Sequence, residues 1–283
     1  MSFLESLFGG AQEEPEDEEG IEQHIDFLKS LRIPAIAMAT SPEPRLSRIG
    51  GLPLLPEHVS WPEWQGQPLS FLCQIDLREI PDTCERQGLP ASGMLYFFYN
   101  QEQGTWGFDP HDRGSWRVLY APSPNDVPRA APDGLEQNFV YPEKSVGFTP
   151  IETYPDWQDE RVGNLELNDA QSDQYIELCL EVFENHPAHH LFGYPSPVQG
   201  NDMDLECQLV SHGLYCGDAS GYQDERAKEL APGRHDWVLL LQLDTDEDAG
   251  MMWGDCGMLY FWIRKEDLAA LHFDRCWMIL QCS

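Results

Sequence analysis

The segment Asp244-Thr245-Asp246-Glu247-Asp248-Ala249-Gly250 sets three aspartates at alternate positions. Alternate side chains of a turning chain can converge, and three carboxylates gathered there suit a hard cation such as calcium. The match to a calcium loop is incomplete. The sixth position is Ala249 rather than glycine, the twelfth is Asp255 rather than glutamate, and a strand rather than a helix leads in. The alternative is a solvated turn whose aspartates cap backbone amides. Met251-Met252-Trp253-Gly254-Asp255 follows directly. An indole flanked by carboxylates can line a site for a sugar or a cation, and the same residues can equally pack into a core. The candidate ligand-binding residues are therefore Asp244, Asp246, Asp248, Trp253 and Asp255. Gln242 joins them from the incoming strand, and Gln74 and Asp76 from the matching place in an earlier segment.

Other chemistry-bearing groups carry weaker patterns. His186, His189 and His190 could supply imidazole ligands, but no carboxylate or cysteine stands at metal-ligand spacing, and a polar helix end explains them as well. Cys216 has His212 nearby in sequence, which guarantees no geometry, and a buried thiol is the alternative. Ser220 in GDASGY lacks the nucleophile-elbow glycines, and neither a Walker loop nor a dinucleotide fingerprint occurs. With 49 carboxylates, any acid–base pair would be an arbitrary choice. No catalytic residue, metal or cofactor is assigned. The reading leans away from an enzyme and toward a binding protein.

Charge narrows the partners. Lys and Arg total 17 against 49 Asp and Glu, a formal net charge of −32. Such a surface repels phosphate backbones and anionic headgroups, which argues against nucleic acid and membrane surfaces and for a basic protein. An immunity-like protein that masks a basic effector is one concrete version, since opposite charge speeds encounter; the charge could also serve solubility alone. The eight cysteines include no C-x-x-C pair, and several lie in apolar runs, as expected for reduced core thiols. The start, MSFLESLFGG, has no basic region or long apolar stretch, so a cytoplasmic location is expected.

The elements that must position these groups read as mainly β. Twenty-two prolines and 23 glycines are spread along the chain, favouring turns over long helices. Residues 1–20 hold the run AQEEPEDEEG and are expected to be a disordered acidic tail; before that run, Phe3, Leu4, Leu7 and Phe8 form a short amphipathic start. Ile21, Ile25, Leu28 and Ile33 approximate helical spacing, predicting a helix to just before Pro34. Residues 41–68 read as an extended segment pinned by Trp61 and Trp64. Strands are expected at 69–77, 93–100 and 115–121, with short ones around Phe139 and Phe148. A second helix is expected from Asp169 or Ser172, burying Tyr175, Leu178, Cys179, Val182 and Phe183 and ending at Pro187.

The longest-range signal is a repeat. LSFLCQIDL (69–77) answers VLLLQLDTD (238–246), matching Gln74 to Gln242 and Asp76 to Asp244. Gly93-Met94-Leu95-Tyr96-Phe97 recurs at Gly257–Phe261, and Trp116–Leu119 answers Trp277–Leu280. Three blocks in one order imply a duplicated strand unit, about 69–121 and 238–281, inside a single domain spanning 21–283. The expectation is two related antiparallel sheets sharing one core about a pseudo-twofold axis. The stretches GGLPLLP, PLSFLCQIDL and GMLYFFYN, with LLLQLDTDEDAGMMWGDCGMLYFWI, resemble the YwqG-like family of bacterial proteins of unknown function. That resemblance implies a mainly β, roll-like fold with a few short helices, and no established activity.

Overall fold

The computed structural model describes residues 20–184 and 186–283. The expected acidic tail and amphipathic start therefore lie outside the described residues. Among the described residues twelve strands appear: β1 Ile33–Thr40, β2 Arg48–Ile49, β3 Glu63–Trp64, β4 Gln67–Pro68, β5 Ser70–Asp76, β6 Met94–Tyr99, β7 Trp116–Ala121, β8 Lys144–Thr153, β9 His190–Phe192, β10 Trp237–Asp244, β11 Met258–Arg264 and β12 Trp277–Gln281. Short helices lie between them: α1 Ile25–Ser30, α2 Glu160–Gly163, α3 Asp169–Glu181, α4 Met203–Ser211, α5 Ser220–Gln223, α6 Glu225–Leu230 and α7 Lys265–Ala269.

Ten strands form one open antiparallel sheet in the order β12-β11-β10-β9-β1-β8-β2-β5-β6-β7, and β3 and β4 pair as a small hairpin. The order is symmetric about the β1–β8 pair. Strands β1, β2, β5, β6 and β7 correspond in turn to β8, β9, β10, β11 and β12. Each half borrows the other's first strand: β1 pairs with β9, and β8 with β2. This exchange replaces the expected two sheets with one continuous sheet. The three-strand repeat seen in sequence is the well-preserved part of a five-strand unit.

Smaller details repeat as well. Both halves carry a register shift at the same place, between Phe71 and Cys73 and between Leu239 and Leu241, which re-aims the side chains that follow. Gly50 and Gly51 have φ +65° and +72°, and their counterparts Phe192 and Gly193 have +60° and +77°. A Cβ at Gly50 would stand 2.1 Å from Pro142 O, so glycine is required there. Phe192 holds the same left-handed conformation with its ring buried, a strained backbone stabilised by packing.

The sheet folds back so that equivalent rings meet in the core. Phe97 and Phe261 stand edge to face at 5.2 Å, and Trp116 and Trp277 at 4.9 Å. Every residue of β5 and β6 is buried, which is why their sequence is apolar on both faces. Their outer residues, among them Phe71, Tyr96 and Phe98, form a second cluster under the chain at 54–64. Trp61 closes it, standing 5.5 Å from Phe98 with its indole donating to Leu69 O.

Three local expectations change. The first helix is a 3-10 turn, Ile21–His24, continued by α1 and ended at Leu31. Ile33 already belongs to β1, which tolerates Pro34 because β9 pairs only from Ala35 onward. The alanine-rich β1 has little intrinsic strand propensity and is held by its neighbours. Phe139 ends a 3-10 turn, while Phe148 lies in the ten-residue β8. The second helix is capped by Asn168, whose side chain and that of Gln171 bond reciprocally to backbone amides.

Candidate functional site

The acidic loop is built on the end of β10. Asp246 and Met251 exchange two backbone hydrogen bonds of 2.9 Å, closing a tight turn, and Asp246 Oδ1 accepts from Ala249 N at 3.0 Å. The other oxygen of Asp246 faces His189 Nε2 at 3.5 Å, with both side chains buried. His189 Nδ1 accepts from Asp244 N at 2.9 Å. A backbone amide can only donate, so Nδ1 is the bare nitrogen and Nε2 carries the proton toward Asp246. The hydrogen bond from His189 holds the Asp246 carboxyl below the usual range. Burial pushes the Asp244 carboxyl up, although its Oδ2 accepts from Ala188 N at 2.8 Å.

Both nitrogens of His189 are thus engaged inside the fold, and neither faces a reactant. The arrangement staples the 244–251 loop to the segment Ala188–His189 just before β9. Among the described residues, no group of three or more His, Cys, Asp or Glu side chains is placed to hold a metal ion.

The remaining sequence candidates separate. Asp248 and Asp255 point into solvent. Trp253 is fully buried, edge-on to Tyr99 and Tyr141, and its indole donates to Asp244 O at 3.0 Å. An indole this large gains more from the core than from a rim, so it cannot line a site with those carboxylates. Gln74 and Gln242 are fully buried equivalents that pin equivalent loops. Gln74 accepts from Leu54 N and donates to Leu46 O; Gln242 accepts from Ser196 N and donates to Ala188 O. Asp76 is spent on a bidentate bond with Arg78 in the other half of the sheet. The carboxylates and Trp253 do not converge on a shared cavity.

The open surface lies beside them, along α3. The buried face of this helix packs Tyr175 against Tyr154 and Val162, with the Tyr175 hydroxyl donating to Pro155 O. Its other face leaves Ile176 44% and Leu180 54% exposed, with Trp157 54% exposed across the groove. A hollow of about 210 Å³ lies between α3 and the segments 153–157 and 194–197. It meets a second hollow, of about 610 Å³, at Leu180 and Phe183. Glu177, Glu181 and Asp244 line that second hollow, and Asp156 lines the first. Burial raises the Asp156 carboxyl above its ordinary range.

Sequence reasoning missed two parts of this. His189 and Asp246 stand 57 positions apart with no spacing motif to join them. Ile176 and Leu180 fell off the predicted buried face, and that offset was the available signal for a second apolar face.

Fold and surface together define a duplicated open β-roll whose helical additions carry an apolar groove with an acidic rim. The model of a family described as a domain of unknown function (DUF1963) matches residues 47–282, and the chain belongs to that family. No curated protein matches the chain. Among the described residues, no helix is long and apolar enough to cross a membrane.

Proposed function

We propose that this chain is a non-enzymatic binding protein that docks a basic, apolar segment of a partner protein into the groove along α3. The observation that carries the reading is the apolar pair Ile176 and Leu180, left exposed between Glu177, Glu181 and Asp156 on a chain of net charge −32. Aliphatic side chains would cover the pair, and Lys or Arg beside them would meet the acidic rim. A guanidinium next to Asp156 would also draw its raised carboxyl back down.

A YwqG-like bacterial protein of the cytoplasm fits this reading, supported by the quoted motifs and by eight cysteines that are all free. An immunity-like role toward a basic effector is its most concrete version. The charge opposes nucleic acid and anionic membrane as partners. A cation or small-ligand site at 244–255 is the reading that the outward Asp248 and Asp255 and the buried Trp253 disfavour.

Selection of displayed random twelve-residue peptides against the full chain tests the proposal. The expected outcome is enrichment of sequences that combine Lys or Arg with Leu, Ile or aromatic residues, eluted by raised salt. Enrichment of acidic or uncharged sequences, or none beyond a bare-support control, would overturn it.

A further inference from the structure

We infer that the second half of the sheet carries a pocket for a single neutral sugar ring, at the position that Trp61 fills in the first half. Leu69, Phe71 and Phe98 in the first half correspond to Trp237, Leu239 and Trp262 in the second, at the same register of β5/β10 and β6/β11. In the first half, Trp61 lies edge-on to Phe98 and helps seal the cluster. In the second half, Trp237, Leu239 and Trp262 instead line a cavity of about 290 Å³. That is the small end of the range for ligand pockets, with room for about one ring.

The polar groups specify the occupant. The Trp262 indole N–H is buried with no hydrogen-bond partner, in a residue only 7% exposed. A buried donor left unmade is costly, so it calls for an acceptor. Arg234 and Asp204 also line the cavity and are already paired with each other at 2.6 Å, and Arg234 pairs again with Asp202 at 2.8 Å. Asp159, on the same wall, is held by Arg161 at 2.7 Å. Asp159 is answered by Arg161, whereas Asp202 and Asp204 share Arg234, so the wall holds no spare cation and an anionic ligand would find no counter-ion. Asn201 contributes an amide that holds no partner among the described residues.

Indole surfaces beside an unpaired N–H, a free amide and a planar ion pair match one kind of molecule. It has C–H faces to stack and hydroxyl groups that both donate and accept, which describes a monosaccharide. The cavity shares Tyr194 and Pro195 with the first hollow of the α3 groove, but it rests on its own residues and not on the docking reading.

Saturation-transfer NMR on the full chain tests the inference with D-glucose, D-galactose, D-mannose, D-xylose, N-acetyl-D-glucosamine and, as a non-sugar control, adenosine. The two variants rewrite the second half with first-half residues: Trp262→Phe matches Phe98 and removes the donor, and Leu239→Phe matches Phe71 and fills space. At least one monosaccharide is expected to give a signal. Its Kd should rise about tenfold in Trp262→Phe and rise also in Leu239→Phe, while both variants keep the native fold by circular dichroism. Silence from every monosaccharide, binding of adenosine alone, or a Kd unchanged in both variants would overturn it.

Discussion

Replacing Gln242 with alanine is expected to destabilise the fold by about 3–5 kcal/mol, one of the largest effects available to a single polar substitution in this chain. Gln242 is fully buried, accepting from Ser196 N at 2.8 Å and donating to Ala188 O at 2.9 Å. Truncation strands the Ser196 amide, worth roughly 1–3 kcal/mol, leaves Ala188 O with the His190 ring alone, and opens a cavity besides. Tyr260, whose hydroxyl donates to Ser196 O at 2.7 Å, then holds Ser196, with Gln281 gripping Val198 N and Gln199 N further along the loop. Gln74→Ala is expected to cost a similar amount, because Gln74 and Tyr96 grip Leu54 in the same way. Gln242→Met, which restores volume but no hydrogen bonds, should recover only the cavity part. Urea unfolding of the three variants provides the check. A loss under about 1 kcal/mol for Gln242→Ala would mean that the loops are held by other contacts.

The second large effect depends on pH. Glu206 on α4 is nearly buried; its Oε1 accepts from Tyr222 at 3.0 Å, and its Oε2 has no partner. Burial raises its carboxyl to about 7, with Asp202 and Asp204 adding to the rise and Tyr222 and Arg234 opposing it. The folded pKa lies above the unfolded value near 4.5. Between those two pH values the unfolded chain ionises while the native chain stays protonated, so stability is full below about 4.5 and falls as pH rises through 7. The cost above pH 7 is roughly 3 kcal/mol. Glu206→Gln removes that linkage, so its advantage over the wild type should grow from near zero at pH 4.5 to roughly 3 kcal/mol at pH 8.

His190 runs the other way. Burial holds its imidazole down to about 4, against the pull of the Ala188 and Tyr194 carbonyls. Its contribution is present above the ordinary value of 6.5 and is lost as pH falls toward 4. Where the two windows overlap, the opposing slopes offset each other, so the wild-type curve should be shallow and the Glu206→Gln curve should climb with pH. Parallel curves for the two proteins from pH 4.5 to 8 would show that Glu206 is ionised in the native state.

The parts of this molecule legible in sequence are those where side chains repeat. Gln74 and Gln242, the Gly-Met-Leu-Tyr-Phe blocks and the Trp116/Trp277 pair placed β5–β7 and β10–β12 correctly, because buried strands constrain both faces at once. The join between halves was not legible. Ile33–Thr40 and Lys144–Thr153 share no visible pattern, since a central strand can be specified by its neighbours rather than by its own residues. The aspartates of 244–248 read as one cluster, but the turn sends Asp246 inward to His189 and Asp248 outward. Trp253 followed the plain physics of a large ring and joined the core. The groove and the Trp262 cavity arise where equivalent positions of the two halves, or the two faces of one helix, part company. No local motif records such a difference.

The most direct test of the docking account is the Kd of a selected basic peptide for the wild-type chain and for the double variant Ile176→Lys/Leu180→Lys. Both residues are well exposed, so the variant should fold, yet it replaces the apolar contact with repulsion in the middle of the groove. The account predicts a loss of affinity of at least about 30-fold, equivalent to roughly 2 kcal/mol. An unchanged Kd in a folded double variant would place the partner elsewhere on the acidic surface and contradict it.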